Sequence, residues 1–472
     1  MKLSNVNKNF SNEYKAFILN KILPFLGIED NNVQDYDDEI SSNVVVNYTD
    51  FISQDNDFLY FGLKNDILFK LKRRQIVDIE SIKVSRCILK YFLKVSTYQN
   101  HRSSINNSYL SDIHREKNYD YAIQNGICEW IIGSSAIDKF EQLFGILESW
   151  SLKTYEGKKV SFGLIINPEY KKNKAGMSKY GNFLSFLSDE FSAVLTDGIS
   201  SVIELDADCD IIGFNSIYSN GKCDQVELIN NLPYRFAQTI AKFVTDKKIG
   251  IFLLNNGDII LSKNQKIEFV KRNGNWLNFN VTSFMNSMSE FIEFHAISEK
   301  LAHAIYNSAL DVSFSHSGGI ISLVTDVDLL RGKGEFNQVL SACDDLSNNL
   351  SLESIEQLLS LSIPSTSKKN EEINKRLLKR SIILSLLNDK NEFTSIDRKL
   401  RSELISMDGA CIIGKNGEIY TFGAIIQNDS GSSGGGRGAA AKKLSNYGFS
   451  IKISTDGYIE VYQKGVKKHV IK

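Results

Sequence analysis

Proline is scarce in this chain, four residues in 472, and net charge is nearly absent, with 55 Lys and Arg against 56 Asp and Glu. The first shortage leaves long stretches free to form regular helices and strands and argues against a proline-rich disordered chain. The second excludes a global basic field, so nucleic acid polymers and anionic membranes are not expected partners, and any anion site has to be local. Long apolar runs are missing as well. The N-terminal stretch MKLSNVNKNFSNEYKAFILNKILPFLGIEDN is broken by Asn, Lys and Pro, too short and too polar for a signal peptide or a membrane span, and the expected location is the cytoplasm. Six cysteines lie without CxxC spacing, and six histidines form neither HxxxH nor HExxH, so neither disulfides nor a histidine-bound zinc is expected.

What the chain does contain is material for more than one core: 42% apolar and 24% charged residues in a length that exceeds a single hydrophobic core. The pattern predicts an α/β protein in three parts, with an N-terminal α+β region over 1–125, an α/β domain over 126–290 and a second over 291–472. The first part opens with an amphipathic helix from Glu13 to Phe25, contains strands such as Phe58 to Leu63, shows no chemistry, and ends near a polar connector from His101 to Asn118. The last part carries a polar, helical insertion over about 326–391, expected as a surface arm.

From about residue 126 the chain says the same thing twice. The first copy runs helix (Ile137 to Trp150), buried strand (Val160 to Ile166), helix (Phe183 to Leu195), Asp197-Gly198, and strand (Ser201 to Leu205). It continues through a polar turn at Asp206, Asp208 and Asp210, a returning strand, a helix opened by Pro233-Tyr234-Arg235, and a hairpin turning at Asn256-Gly257. The second runs helix (Ile297 to Asp311), buried strand (Gly319 to Val324), the insertion, helix (Ile396 to Ser406) and Asp408-Gly409. After it come a hairpin turning at Asn416-Gly417, a glycine run, a helix from Ala439 to Asn446, and a last hairpin turning at Asp456-Gly457. Two diverged copies of one α/β domain account for this order; chance recurrence of helix and strand order is the competing account.

The stretch Ser430-Gly-Ser-Ser-Gly-Gly-Gly-Arg437-Gly-Ala-Ala-Ala441 leaves a strand and opens an alanine-rich helix. Without side chains at Gly434, Gly435, Gly436 and Gly438, backbone N–H groups and the positive end of a helix dipole are open to a phosphate, and Arg437 adds a two-pronged donor. The same composition also suits an exposed linker. Asp408 separates the two: a carboxylate at the end of a helix, followed by the small Gly409 and Ala410, can hold Mg²⁺ or accept a proton from a hydroxyl.

Together, Asp408-Gly409-Ala410, Phe422-Gly423-Ala424, the Gly436 to Ala440 turn and the strand from Ile451 to Ser454 resemble the diadenylate cyclase (DAC) domain, which condenses two ATP into cyclic di-AMP. The resemblance covers about 297–465 in motif order and is closest over 396–462. It implies a mixed-sheet fold with flanking helices, a catalytic and metal-binding role for Asp408, and nucleotide contacts from Gly409, Ala410, Gly434, Gly435, Gly436, Arg437 and Gly438. Asp456 sits where the family often has an acidic metal ligand, although a plain Asp-Gly turn explains it equally well. Where the family carries Arg-His-Arg, this chain has Arg437-Gly438-Ala439, leaving one cation that Lys442 and Lys443 are placed to supplement. The first copy keeps Asp197-Gly198 but has Ile199 for alanine and a lone Arg235, so it is expected to be structural or ligand-sensing.

The expected function is therefore ATP or related adenine-nucleotide binding with Mg²⁺ or Mn²⁺, with cyclic di-AMP synthesis as one outcome and a catalytically silent nucleotide sensor as the other. The enzyme reading requires paired sites, in a homodimer or an intramolecular pair of the two copies; the sensor reading requires a downstream effector protein.

Overall fold

The computed structural model describes residues 8–28, 33–35, 51–55, 57–63, 66–72, 77–99, 108–133, 137–170, 181–186, 190–218, 231–279, 281–332, 339–341, 343–346, 368–388, 390–426 and 435–471. The chain divides into two compact units, the first over 1–283 with the last two residues, the second over 284–470. The sheets are mixed and flanked by helices, as an α/β protein requires.

Unit 1 begins with a helical segment, Lys8–Phe17, that passes through a π-helical turn, Ile18–Ile22, into Leu23–Phe25. Strands β1 (Val33–Asp35), β2 (Ile52–Gln54), β3 (Phe58–Leu63) and β4 (Asp66–Lys72) form an antiparallel sheet in the order β1-β4-β3-β2. Two long helices follow, Ile79–Gln99 and Ser108–Ile132. Helix Ser108–Ile132 begins inside the stretch expected as a polar connector, whose first part, 101–107, lies outside the described residues. The expected boundary near 125 falls within this same helix. Its Tyr119, Ala122, Ile123 and Ile127 are buried in one continuous core with Phe17, Phe92, Phe144 and Phe269, so the N-terminal region and the α/β sheet of unit 1 share a single core.

After the two-residue ribbon β5 (Thr154–Tyr155) and β6 (Lys158–Lys159), the second sheet of unit 1 is built from seven strands. These are β7 (Phe162–Asn167), β8 (Ser201–Asp206), β9 (Ile211–Ser216), β10 (Ile249–Leu253), β11 (Ile259–Lys263), β12 (Lys266–Arg272) and β13 (Asn275–Asn278), in the order β13-β12-β11-β10-β7-β8-β9. The helix expected from Phe183 to Leu195 is instead a short helix, Phe183–Phe186, and a 3₁₀ turn, Glu190–Val194.

Unit 2 contains β14 (Gly319–Val324), β15 (Ala410–Gly414), β16 (Ile419–Ala424), β17 (Gly448–Ile453), β18 (Ile459–Gln463) and β19 (Val466–Ile471), in the order β16-β15-β14-β17-β18-β19. All six residues of β14 are buried, the pattern of a central strand covered on both faces. Ile320 and Val324 face Ala440, Ala441 and Leu444 of the helix Gly435–Leu444; the intervening Ile321 and Leu323 point to the other face. Helix Glu299–Phe314, capped by Ser298 through Leu301 N, also packs on β14 and β17.

The two sheets repeat one topology. β7 is parallel to β8 and antiparallel to β10, with β9 closing a hairpin on β8. β14 is likewise parallel to β15 and antiparallel to β17, with β16 closing a hairpin on β15. Strands β11 and β12 then match β18 and β19, and β13 is an addition in unit 1. Each parallel pair needs a crossover, and in unit 2 that crossover carries the insertion. Its helix Lys368–Leu387 is no detached surface arm: Leu377, Arg380, Ile383 and Leu387 are buried at helical spacing.

Candidate functional site

Strand register places the predicted residues at one end of the unit 2 sheet. Ile321 pairs with Cys411 in the parallel β14–β15 ladder, and Gly319 pairs with Ile453 in the antiparallel β14–β17 ladder. The starts of β14 and β15 and the end of β17 therefore lie side by side. Ala424, at the end of β16, sits opposite Ala410. Gly318, Asp408, Gly423 and Ser454 thus gather along a single rim.

The small residues after Asp408 have a local cause. Gly409 has φ 111°, and a Cβ there would stand 2.3 Å from the carbonyl carbon of Gly423 and 2.4 Å from its oxygen. Ala410, fully buried against Ala424, keeps the two strands close. The tight approach turns Asp408 outward. It is exposed, and among the described residues its carboxylate makes no hydrogen bond or ion pair.

The helix predicted from Ala439 begins four residues earlier, at Gly435. Glycine disfavours helix, but burial of Ala440, Ala441 and Leu444 against β14 fixes the segment, and the glycine run becomes its first turn. Gly435 and Gly436 are exposed, and a Cβ at either meets nothing within 4 Å, so no side chain crowds the start of this helix. Arg437 is half-buried. Its Nη1 lies 2.8 Å from where a Cβ on Gly318 would be, so the glycine at 318 makes room for the guanidinium. Arg437 also makes no hydrogen bond or ion pair among the described residues. Gly438 is buried; Gly434 lies outside the described residues.

Of the remaining predicted residues, Lys442 lies away from this group, and Asp456 follows Thr455, whose N would be 3.2 Å from a Cβ on Gly318. Lys442 is exposed in the last turn of the helix, five residues beyond Arg437, roughly 7.5 Å along the axis and on a different face. Asp456 is exposed in the β17–β18 turn, where Gly457 N donates to Ser454 O at 2.9 Å and Tyr458 N to Ser454 Oγ at 3.1 Å. β14 stands between β15 and β17, so the backbones at Gly409 and Ile453 are two strand spacings, roughly 10 Å, apart. Among the described residues no three His, Cys, Asp or Glu side chains converge as a metal cage. A divalent ion here would have Asp408 as its protein ligand and would need phosphate and water oxygens for the rest, a donor set that suits Mg²⁺.

The structure adds Lys379, which sequence reasoning missed. This half-buried residue of helix Lys368–Leu387 donates from Nζ to Gly423 O, the carbonyl against which Gly409 packs. Burial pulls its ammonium below the usual lysine range, while the charges of Asp344 and Asp408 act to raise it. Arg376, three residues earlier, reaches the buried Asp344 at 3.4 Å. The cationic spacing Arg376, Lys379, Arg380 was visible in the sequence; its target was not.

The corresponding rim of unit 1 is differently employed. Asp197 Oδ1 accepts from Ile199 N (3.0 Å), Ser200 N (2.8 Å) and Ser201 N (2.9 Å), and Oδ2 accepts from Ser200 Oγ (2.6 Å). Burial alone raises this carboxyl, but those hydrogen bonds outweigh it and hold it below the usual range. Arg235 lies in a 3₁₀ turn, and its Nη1 donates to Asn255 Oδ1 at 3.3 Å. The acid of this copy serves the fold, while the arginine is exposed with that one partner.

Neither a protein family nor a curated protein matches the chain. A solved structure described as a hypothetical membrane spanning protein from Bacillus cereus aligns with 41% of this chain and 74% of its own, at 14% identity and a TM-score of 0.23. A likeness that slight carries no argument. Among the described residues no helix is long and apolar enough to cross a membrane.

Proposed function

We propose that unit 2 binds the phosphates of an adenine nucleotide at the rim formed by Asp408, Gly409, the first turn of helix Gly435–Leu444 and Arg437. The observation that carries this reading is an asymmetry between two sheets of one topology. In unit 1 the acid is consumed by hydrogen bonds within its own turn and the exposed arginine has one side-chain partner; in unit 2 both are left unengaged among the described residues. Charged groups that the fold holds in place and does not use are candidates for a ligand. Phosphate is the anion that first-turn amides and a guanidinium recognise together. The choice of adenine rests on the resemblance to the DAC domain. A site of this kind draws on the cytoplasmic ATP supply.

Carried to turnover, the chemistry joins two ATP. The 3′-hydroxyl of one attacks the α-phosphorus of the other, the new O3′–P bond forms as the bond to pyrophosphate breaks, and the second repetition closes the ring. Asp408 accepts the hydroxyl proton, while Arg437 and the helix amides hold phosphate oxygens and offset the growing charge. Mg²⁺ or Mn²⁺, held by Asp408 and the phosphates, would supply further charge neutralisation. Two such sites have to face each other, which calls for a second copy of the chain, because Asp197, the acid at the corresponding position of unit 1, is engaged by its own turn.

The single arginine favours a second reading, a sensor that binds without turnover. Incubation with labelled ATP and Mn²⁺, followed by chromatography, separates the two. Cyclic di-AMP that is lost in Asp408→Asn establishes the enzyme. Nucleotide-dependent thermal stabilisation without product, lost in Arg437→Ala, establishes the sensor. Neither result in the wild-type chain removes the nucleotide reading.

A further inference from the structure

Helix Lys368–Leu387 is held in unit 2 by its buried residues Leu377, Arg380, Ile383 and Leu387, and Lys379 is carried with it onto the rim. Among the described residues Lys379 makes no ion pair, and its Nζ bonds a neutral carbonyl, that of Gly423. A half-buried ammonium has lost part of its hydration, and a single carbonyl compensates little of that loss. Its carboxylate neighbours are otherwise committed or exposed: Asp344 is buried against Arg376, and Asp408 faces solvent.

The strand order sets the spacing. Lys379 sits on Gly423 of β16, Asp408 precedes β15, and Arg437 lies beside Gly318 at the start of β14. The two cations therefore flank Asp408, with two strand spacings, roughly 10 Å, between the strands that carry them. A single phosphate group at the helix N-terminus meets Arg437 alone. A polyphosphate, with oxygens along its length, can reach both.

Resting on the nucleotide reading above, we infer that Lys379 is a second phosphate-binding cation of the Asp408 site, supplied by the insertion, and that the ligand is a nucleoside di- or triphosphate in preference to a monophosphate. The insertion thereby replaces, from a distant part of the chain, a cation missing after Arg437. Nζ exchanges the Gly423 carbonyl for a phosphate oxygen when the ligand arrives.

Calorimetric titration of the full chain with AMP, ADP and ATP in the presence of Mg²⁺ tests this, using wild type, Lys379→Met, Lys379→Gln and Arg437→Ala. Lys379→Gln keeps an N–H donor, on a side chain one bond shorter, and removes the charge, so it guards against a packing defect in the Met variant. The expected result is ATP affinity lowered on the order of tenfold in both Lys379 variants, the loss of one charge-assisted contact, with AMP affinity unchanged. Equal losses for AMP and ATP would show that Lys379 only supports the fold, and overturn the inference. Wild-type ATP affinity in both variants, with binding lost in Arg437→Ala, would overturn it too while leaving the nucleotide reading intact. If the wild-type chain binds none of the three, both readings fall.

Discussion

Replacing Gly409 by alanine probes the link between the strand contact and the exposed acid. The wild-type φ of 111° is outside the range an alanine adopts comfortably, and the added Cβ would stand 2.3 Å from the carbonyl carbon of Gly423. The backbone strain costs about 1–2 kcal/mol. The clash is with backbone, which no rotamer change relieves, and forcing β15 from β16 adds about 1–3 kcal/mol. For a unit of this size a loss near 3 kcal/mol lowers the melting temperature by roughly 6–12 °C. The control is Gly436→Ala, where a Cβ meets nothing within 4 Å. In a first helical turn that change is neutral or stabilising by up to about 1 kcal/mol. Thermal unfolding followed by calorimetry, which resolves two units if they melt separately, reads both variants. A Gly409→Ala transition at the wild-type temperature would refute the argument that this glycine is demanded by the approach of Gly423.

Three further outcomes are expected. Asp197→Asn removes the charge that five hydrogen bonds serve and destabilises unit 1 by about 1–3 kcal/mol in urea titration, whereas Asp408→Asn leaves the unfolding midpoint unchanged. Glu460 is drawn down to about 2: burial opposes its charge, but Lys452 and Lys467, each at 2.8 Å, more than compensate. Its folded value lies below its unfolded one, so its contribution is complete above the ordinary carboxylate range and disappears as pH falls toward 2; Glu460→Gln should flatten the acid limb of unit 2 stability measured from pH 5 to 2. His469 is depressed by burial to about 4, so it stays neutral in the folded chain while the unfolded chain takes up a proton below the ordinary histidine value. Stability is thus lost as pH falls from about 6.5 toward 4, and His469→Phe should show a smaller loss across that interval.

The folding pattern of unit 2 was legible because its signals are local. Gly319 to Val324 is an unbroken apolar run, and the hairpins turn at Asn416-Gly417 and Asp456-Gly457, where glycine takes the positive φ the turn requires. The boundaries moved where burial outweighed propensity, as at Gly435, or where a helix bridged two expected domains, as in Ser108–Ile132. The proximity of Asp408 to the start of β14, and so to Arg437, follows from the parallel β14–β15 register, which no local pattern encodes.

By itself, then, the sequence determined the element order, the repeat of that order, and the choice of Asp408, Gly435, Gly436 and Arg437 as residues worth following. Composition, turn chemistry and apolar periodicity act over a few neighbouring residues, so they can be read along the chain. Only the tertiary structure decided which of those charges remain available. Asp197 looked like the twin of Asp408 until the 197–201 turn folded its own amides onto the carboxylate. Lys379 lies in the insertion expected as a surface arm, and the packing of that helix set its ammonium on a carbonyl 44 positions away. A charge is spent or kept according to the partners that packing brings within hydrogen-bonding distance, and those partners are chosen by contacts between residues remote in the chain.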